Sequence, residues 1–597
     1  MSGALEHRGP DDRGDLHQDL GGAGSLFLAN SRLAILDLSS RGHQPMTTPD
    51  GRFTIVFNGE VYNFRRIADE LRESGVRFVG ESDTEVILHA WQRWGHECLD
   101  RFRGMFAFAI FDARDRRLFL ARDRLGEKPL YYWSNGRVFL FASEVRCLLA
   151  SNVVPRSIDR EGLDAFLTFG SVVDPYTIVE GVRALEPGHF AEVVRCELSA
   201  QPYWEMSKIE ELEGGVSSED AASQVGGLLR EACRLVMESD VPVGVLLSGG
   251  IDSTTNVVLL SELGFSDLRT FSVVFPDHDP DLSERPWASL VAERFGTTHE
   301  WLEVDLAKAK AWVAKGVTSM DQPSVDGINT YLVTRAIAEA GIKVAVSGQG
   351  GDELFLGYPQ RHRFAAMARL AGLPVPGIVQ SIMGRVARTG RLADTRFEKL
   401  LELAPRAQDR FVSAYLANHT LYSQSALDRL SGEARPRQSR FVRSQGGSSP
   451  LGRLSRLELS YYLRNTLLRD ADQMSMANSI ELRQPFLDAR LVEAVLRLPI
   501  ETKIRRGEQK PLLVAGVGAR LPHEVVDRPK MGFNLPYDSW LREGLSLCNP
   551  LDIPVGLDEG EMRAVGARFD AGAYWTRFWA LQVLASWVDR HNLSEPR

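Results

Sequence analysis

The sequence predicts a chain of two domains, a layered α+β domain followed by an α/β domain built on a parallel sheet. Its 597 residues are too many for one hydrophobic core. Short strand patterns with two helical patterns between them occupy residues 25–195, whereas strands and helices alternate after residue 221. Because alternating β and α units form a parallel sheet covered by helices on both faces, the second half is predicted to be an α/β domain.

The first half contains short apolar runs that are typical of strands. They are Leu26–Ala29, Phe53–Phe57, Phe106–Phe111, Leu118–Ala121 and Val138–Phe141. Helical patterns lie at 64–74 and 84–94. Many strands with two packed helices indicate a layered domain.

The second half follows a polar stretch at 201–220 that indicates a linker. Strands are predicted at 243–247, 270–275 and 342–346, and helices at 221–238, 283–295, 330–340 and 457–476. This order supports a parallel sheet whose ligand site lies at the carboxyl ends of the strands.

Charge and composition narrow the class of protein. A net charge of −9 disfavours nucleic acid and anionic membrane as main partners. The charged residues through Arg13 do not fit a signal peptide, and no apolar run is long enough to span a membrane. Five scattered cysteines without metal-ligand spacing predict a protein of the reducing cytoplasm without structural zinc.

The most informative motif joins a strand pattern to Ser248-Gly249-Gly250 and then to Asp252-Ser253 and a helical pattern. A strand, a glycine loop and a helix N-terminus in succession leave backbone N–H groups free to bind a phosphate, and the helix dipole favours the negative charge. Asp252 can hold Mg²⁺ on a pyrophosphate. No lysine lies near Gly250, so the loop differs from that of kinases. The alternative is a βα turn without a ligand.

Two later loops can complete this site. Residues 347–352, Ser-Gly-Gln-Gly-Gly-Asp, again follow a strand pattern and precede a helix. Asp352 is predicted to join Asp252 on a shared Mg²⁺, since that ion takes carboxylate and phosphate oxygens; a simple helix cap is the alternative. Lys530 can stabilise negative charge at an α-phosphate or acyl centre, and a solvated surface lysine is the alternative.

Polar clusters at strand ends of the first half can hold a small ligand. Arg32-Leu33 offers a planar guanidinium fork for a carboxylate. Asp83 and the Asn58-Gly59-Glu60 group can grip an ammonium or an amide. Taken singly, each cluster is also typical of a turn or a cap, and Asp83 is suited to capping a helix.

Together these clusters, with Arg122–Tyr131 and Phe141–Glu144, resemble the glutamine pocket of class II glutamine amidotransferases. The Ser-Gly-Gly-Ile-Asp-Ser loop at 248–253 is similar to the pyrophosphate loop of N-type ATP pyrophosphatases. In this order, the motifs resemble glutamine-hydrolysing asparagine synthetase over residues 5–590. The resemblance implies an αββα glutaminase domain, incomplete at its N-terminus, over 1–200, a linker over 201–220 and an ATP pyrophosphatase domain over 221–597.

The resemblance also implies roles for the motif residues. The nucleotide would be contacted by Leu247, Val273, Ser347 and Gly348, and its pyrophosphate, with Mg²⁺ and Asp352, by Ser248, Gly249, Gly250, Asp252 and Ser253. The catalytic and acceptor positions would be Gln349, Lys530 and Glu481. Glutamine would be bound by Arg32, Leu33, Asn58, Gly59, Glu60 and Asp83.

Two positions depart from the family pattern. The family begins Met-Cys-Gly and uses the α-amine of that cysteine as a base, whereas this chain begins almost at His7. We expect a start codon assigned too far downstream or a fragmentary chain; a dead glutaminase that depends on free ammonia is the alternative. Gln349 stands where relatives carry glutamate or aspartate, and an amide cannot take up a proton at neutral pH, so the acceptor stays open.

The predicted function is an ATP-dependent amide ligase that forms asparagine from aspartate through β-aspartyl-AMP, with ammonia from glutamine or from solution. ATP and Mg²⁺ are the expected cofactors, small molecules are the expected partners, and a homodimer is compatible with the sequence. One alternative is a ligase of the same fold that acts on another carboxylate, such as a sugar acid or a peptide, or closes a ring. The other is a non-catalytic relative that binds glutamine or nucleotide as a sensor.

Overall fold

The computed structural model describes residues 1–597 apart from 213, 275–283, 359–360, 372–398, 400–401, 403–408, 435–440, 444, 532–534, 574 and 597. The ends of two predicted elements, Phe275 and Ser283, lie outside the described residues. Within the described part of the chain, no helix combines the length and the apolar character needed to cross a membrane.

The predicted strands of the N-terminal half are confirmed, with further strands between and after them. In chain order they are β1 Asp12–Asp19, β2 Ser25–Arg32, β3 Met46–Thr47, β4 Phe53–Glu60, β5 Met105–Asp112, β6 Arg117–Arg122, β7 Tyr131–Ser134, β8 Phe139–Ala142, β9 Arg183–Ala184, β10 His189–Val194 and β11 Glu197–Pro202. The α-helices are Phe64–Glu73, Asp83–Trp94, Val145–Leu149 and Arg160–Phe169, and 3₁₀ helices lie at Ser2–Arg8, Gly21–Ala23, Ser40–Gly42 and Gly95–Asp100.

A six-stranded antiparallel sheet, in the order β11-β10-β6-β5-β4-β3, forms the centre of this domain. Along β5, Phe106 and Phe108 pack with the first two α-helices, whereas Ala107 and Ala109 pack on the side of the β1-β2 ribbon. Because successive side chains of a strand point to opposite faces, β5 is buried on both sides. The domain therefore consists of a helix layer, the six-stranded sheet, the two-stranded ribbon and a three-stranded antiparallel sheet in the order β8-β7-β9.

The second domain is built on a parallel sheet, as predicted. Its strands are β12 Val243–Leu246, β13 Arg269–Val274, β14 Thr298–Glu303, β15 Val344–Val346 and β16 Glu481–Arg483, in the order β14-β13-β12-β15-β16. All pairings between these strands are parallel. The strand order reverses between β12 and β15, which is where open α/β sheets bind their ligands.

Helices cover this sheet and continue to the C-terminus. Their bounds are Ser218–Val236, Ile251–Glu262, Arg285–Phe295, Leu306–Ser319, Ile328–Glu339, Gly351–Leu354, Arg361–Ala371, Arg410–His419, Gln424–Ser431, Pro450–Leu457, Arg469–Met476, Ala489–Arg497, Ile500–Lys503, Pro511–Val517, His523–Val526, Tyr537–Arg542, Glu559–Asp570 and Thr576–His591. The predicted long helix 457–476 is present, but its centre, Glu458–Leu468, is wound as a π-helix. Such segments are rare and frequently accompany functional sites.

Buried ion pairs join the two domains. Arg8, at the end of the N-terminal 3₁₀ helix, lies 2.8 Å from Asp472, and Arg103 lies 2.9 Å from Asp488. Removing one partner of a buried pair leaves an uncompensated charge in the interior. These contacts therefore disfavour separation of the domains.

Candidate active sites

The first glycine loop is closed by serine hydroxyls. Ser248 Oγ lies 3.0 Å from Ser253 Oγ, and the backbone N–H of Ser248 donates to Ser253 Oγ at 3.2 Å. The helix Ile251–Glu262 begins at Gly250 without a side-chain cap. The positive end of its dipole is therefore available to an anion at the loop.

Gly249 is the position of this loop where only glycine fits. Its φ is +67°, and a Cβ atom there would lie 2.5 Å from Trp287 Cβ and 2.7 Å from the backbone nitrogen of Ala288. The left-handed backbone and these contacts together exclude a side chain. At Gly250, by contrast, a Cβ atom would meet Ser248 Oγ at 3.4 Å, which is an ordinary contact.

The second glycine loop lies directly against the first. Cβ atoms added at Gly348 and Gly351 would lie 3.0 Å from Cβ and 2.6 Å from Cγ of Asp252. Glycine at these two positions makes room for Asp252 between the loops. The backbone N–H of Ser347 donates to the carbonyl oxygen of Arg483 on β16 at 2.9 Å, which fixes the start of the second loop.

Asp252 and Asp352, the predicted metal ligands, share a lysine in this structure. Lys510 Nζ lies 2.5 Å from both carboxylate oxygens of Asp252 and 2.6 Å from Asp352 Oδ1. Lys530 Nζ pairs with the other oxygen of Asp352 and lies 4.0 Å from the centre of the Tyr358 ring. The two loops therefore hold a cluster of two aspartates and two lysines.

The lysines determine the charge of the aspartate pair. Burial raises the pKa of Asp352, but Lys510 and Lys530 outweigh burial and bring it to about 2. Burial also raises the pKa of Asp252, and Lys510 offsets only part of that effect. Among the described residues, no group of three or more His, Cys, Asp or Glu side chains could hold a metal ion. The two carboxylates of Asp252 and Asp352 fit Mg²⁺ that is bound to a pyrophosphate, since phosphate oxygens would complete the coordination of the ion.

A cavity of about 360 Å³ opens beside the two loops. Its lining includes most of the predicted nucleotide residues, among them Leu247, Ser248, Asp252, Ser253, Val273, Ser347, Gly348 and Gln349. Carboxyl groups of Glu284, Asp326 and Asp470 line it as well. Burial raises the pKa of Glu284 and that of Asp470 to about 7. The cavity thus combines the two glycine loops with groups that can exchange protons near neutral pH.

A second cavity, of about 370 Å³, includes the predicted glutamine residues in its lining. These are Arg32, Leu33, Asn58, Gly59, Glu60 and Asp83. Asn58 Nδ2 is buried and has no hydrogen-bond partner among the described atoms. Because buried polar groups are nearly always paired, this amide is suited to meeting a polar ligand.

The charged groups of this second cavity suit an amino acid. Burial raises the pKa of Glu60, and that of Asp83 to about 6. Bringing an ammonium group next to these carboxyls would favour their charged forms. Arg32 uses part of its guanidinium within the protein, since it donates to the carbonyl oxygens of Leu36 and Asp37 at 2.8 and 2.7 Å.

The alternative role of Asp83 as helix cap is wrong, because the preceding serine is the cap.

Strand β16 lies between the two cavities, and its side chains alternate between them. Leu482 lines the cavity beside the glycine loops, which we call the nucleotide cavity after its predicted ligand. Glu481 lines the cavity of the predicted glutamine residues, which we call the N-terminal cavity. Arg483 also faces the N-terminal side, with Nη2 3.2 Å from Glu60 Oε1. Glu481, predicted at the acceptor site, is not among the described residues that line the nucleotide cavity. The structure therefore brings the glycine loops, Gln349 and the aspartates together and places Glu481 elsewhere.

Two cations beside the glycine loops were not predicted from the sequence. One is Lys510, which starts the helix Pro511–Val517. The other is Arg528, whose guanidinium donates to the carbonyl oxygen of Ser248 at 3.2 Å and lies 5.3 Å from the Trp287 ring centre. Lys510 precedes a proline, and Arg528 lies two residues before Lys530. Neither pattern distinguishes a site cation from a surface cation.

A layered domain with a polar cavity thus precedes a parallel sheet whose two glycine loops meet beside a second cavity. The family model "Asparagine synthase" matches residues 224–549, and the model "Glutamine amidotransferase domain" matches residues 1–204. The chain belongs to the asparagine synthase family. It is therefore a ligase of the ATP-dependent, amide-forming class with a glutamine amidotransferase domain.

Similar curated proteins span most of the chain. A putative glutamine-hydrolysing asparagine synthetase of Mycobacterium tuberculosis (strain ATCC 25618 / H37Rv) is 33% identical over 565 residues, which cover 90% of this chain and 84% of that protein. Glutamine-hydrolysing asparagine synthetase 3 of Bacillus subtilis (strain 168) is 30% identical over 563 residues, which cover 92% and 85%. The amidase chry2 of Gibberella zeae is 27% identical over 582 residues, which cover 90% and 84%.

Proposed function

We propose that the protein forms asparagine from aspartate, ATP and ammonia through β-aspartyl-AMP, with the ammonia drawn from glutamine or from solution. The observation that carries the proposal is the meeting of loops 248–253 and 347–352, with two aspartates and two lysines, beside one cavity. A carboxylate is a poor electrophile, whereas its mixed anhydride with AMP has a good leaving group. Such a site has to hold pyrophosphate while an acyl-adenylate forms.

The loop around Ser248 and the uncapped helix after it would bind the pyrophosphate. Asp252 and Asp352 would hold Mg²⁺, which neutralises charge on the pyrophosphate when it is bound. Lys510, which pairs with both aspartates here, would then be available to phosphate oxygens. The cluster therefore supports binding of pyrophosphate, a leaving group that carries several negative charges.

Lys530 is suited to stabilising the charge that develops in the reaction. It is tied to the loop pair through Asp352 and lies over the Tyr358 ring, so it is held in place before the substrate binds. When a carboxylate attacks the α-phosphate, negative charge grows on the phosphate oxygens, and a preorganised ammonium lowers the barrier. The same group would act when ammonia displaces AMP from the acyl centre.

The N-terminal cavity would bind glutamine. Arg32 would hold its carboxylate, Glu60 and Asp83 its ammonium, and Asn58 its amide region. Ammonia released there would travel inside the protein, because water would protonate it. Strand β16 contributes a lining residue to each cavity, which favours this route.

One residue favours a second candidate, a ligase of the same family that acts on another carboxylate. Gln349 in the cavity lining presents a neutral amide where the asparagine synthetases that the motifs resemble carry a carboxylate, so the acceptor meets a different group at this wall. A sugar acid or a peptide carboxylate would then replace aspartate. Screening carboxylates for pyrophosphate release separates the two candidates.

The test is pyrophosphate release from Mg-ATP with aspartate, with ammonium and glutamine compared as nitrogen sources. Release and asparagine formation with either source support the proposal, and the Lys530→Met variant should lose both. Lys503→Met is the matched control, since Lys503 is buried and does not line the nucleotide cavity among the described residues. An absence of release with aspartate, together with release for another carboxylate, would replace asparagine synthesis by the second candidate.

A further inference from the structure

Arg483 contacts residues of both cavity walls, those of the N-terminal cavity through its side chain and those of the other through its backbone. The side chain is fully buried, at 0% exposure. Its Nη2 lies 3.2 Å from Glu60 Oε1, and its Nε donates to Glu481 Oε1 at 2.8 Å. Both carboxylates line the N-terminal cavity. The guanidinium is therefore the cation nearest to the proposed ammonium site at Glu60 in the described ion pairs.

The backbone of Arg483 reaches the other cavity. In the parallel pairing of β15 with β16, Arg483 lies opposite Val346, and its carbonyl oxygen accepts the N–H of Ser347 at 2.9 Å. Ser347 in turn accepts the N–H of Gln349 on its hydroxyl at 3.3 Å. A displacement of Arg483 would therefore be passed to the start of the second glycine loop.

The contacts of the guanidinium differ in strength. Nη1 donates to the carbonyl oxygens of Val236 and Glu238 at 2.8 and 2.7 Å, so this end is anchored at the C-terminal end of the helix Ser218–Val236. Nη2 is buried and makes no hydrogen bond of good geometry among the described atoms, although it lies close to Glu60. The contact with Glu60 is therefore the one that a ligand can change.

We propose that Arg483 is a positioning residue shared by both sites, so that an amino acid bound at Glu60 and a nucleotide bound at the Ser347 loop strengthen each other's binding. The inference rests on the proposed function, since it takes glutamine and ATP as the two ligands. An ammonium at Glu60 would share that carboxylate with Arg483 and restrict the guanidinium. The ligand that binds first loses the conformational entropy of ordering the shared strand. The second ligand then has less entropy to lose and binds more tightly, which is positive coupling.

The experiment is a calorimetric titration of the full chain with glutamine, with and without saturating Mg²⁺ and α,β-methylene-ATP. That analogue keeps the nucleotide intact at the bond that this class of enzyme breaks. We expect the Kd of glutamine to fall about fivefold with the analogue, at the low end of measured couplings. The Kd of the analogue must fall by the same factor with glutamine, because coupling is reciprocal.

Variants separate positioning from general stability. The coupling factor is the ratio of the glutamine Kd without the analogue to that with it. Arg483→Met should reduce this factor to one. Arg483→Lys should keep part of it, because lysine supplies the positive charge but not the planar guanidinium. Arg456→Met is the matched control and should keep the factor, since Arg456 is equally buried but donates to the carbonyl oxygens of Met206 and Ile209. If Arg483→Met does not fold, Arg483→Lys alone carries the test and should give a factor between one and that of the unmodified protein.

Equal glutamine Kd values with and without the analogue in the unmodified protein would overturn the proposal, and so would a factor that persists in Arg483→Met. A protein that releases pyrophosphate with ammonium but does not bind glutamine would overturn the coupling and leave the ligase proposal standing. A protein that binds glutamine with the expected coupling but releases no pyrophosphate with any carboxylate would overturn the proposed reaction and leave the coupling standing.

Discussion

Two buried lysines are in opposite electrostatic situations. Lys510 lies between Asp252 and Asp352, with 4% of its side chain exposed. Lys503 is equally buried but makes no ion pair with a described residue, and burial lowers its pKa to about 8. Burial alone therefore does not determine the state of a lysine; the carboxylates around it do.

Lys510→Met should lower the free energy of unfolding by about 3 kcal/mol, because it leaves the Asp252 carboxylate without its paired cation, whereas Asp352 keeps Lys530. Urea unfolding at pH 7 without added metal measures the loss. Added Mg²⁺ and pyrophosphate should restore part of it, since ion and phosphate replace the missing charge pattern. An unfolding midpoint equal to that of the unmodified protein would show that the lysine is not needed to balance the aspartates.

Lys503→Met should instead change the pH dependence of stability. The folded pKa of Lys503, about 8, is below its ordinary 10.5. Between these values the unfolded chain binds more protons, so stability should rise with pH from about 8 to 10.5. The variant should lose this rise and unfold at the same or a higher urea concentration at pH 7. A rise that persists in the variant would assign it to another group.

At the scale of elements, the glycine loop shows how backbone geometry places a binding site. Gly249 has a left-handed backbone and lies on Trp287, whereas Gly250 has an ordinary φ of −81° and space for a methyl group. Glycine is present at these two adjacent positions for different reasons. Gly249 is required by the fold, and Gly250 presents its backbone to the proposed phosphate.

Gly249→Ala should lower the free energy of unfolding by at least about 2 kcal/mol, through backbone strain and the contact with Trp287. Gly250→Ala should change it by less than about 1 kcal/mol, because its methyl group meets only an ordinary contact. Thermal unfolding of both variants gives the comparison. Equal losses in the two variants would contradict this account of the loop.

At the scale of the whole molecule, a charge cluster holds the N-terminal 3₁₀ helix against both domains. Glu144 accepts from His7 Nε2 at 2.9 Å and lies 3.1 Å from Arg8, which also pairs with Asp472. Burial raises the pKa of Glu144, but Arg146, His7 and Arg8 outweigh it and bring it to about 2. The stabilisation is therefore present above the ordinary pKa of 4.5 and is lost as the pH falls towards 2.

Arg8→Met should weaken docking of the two domains, because Asp472 and Glu144 lose a buried partner. Calorimetry at pH 7 should show two unfolding transitions in the variant. The difference between their temperatures should be larger than in the unmodified protein. Arg13→Met is the control, since Arg13 is exposed and contacts only Ser2 among the described side chains. A single unshifted transition in Arg8→Met would show that other contacts, such as Arg103 with Asp488, are sufficient.

The sequence predicted those parts of the site that depend on residues adjacent in the chain. A strand, a glycine-containing loop and a helix start locate residues 248–253 and 347–352. The π-helix at Glu458–Leu468 was predicted only as a helix, because its apolar pattern does not reveal the winding. The predicted roles of the individual site residues stay predictions until the variants are measured.

By itself, the sequence determined the fold class of both halves and the two glycine loops, since strand and helix periodicity and loop chemistry depend on residues that are adjacent in the chain. Only the tertiary structure decided which charges meet there. Lys510 reaches Asp252 across 258 residues, and local patterns carry no information about such a contact. Likewise, Glu481 and Leu482 face different cavities because side chains alternate along a strand, and a strand of three residues, Glu481–Arg483, is too short for the sequence to show which face belongs to which site.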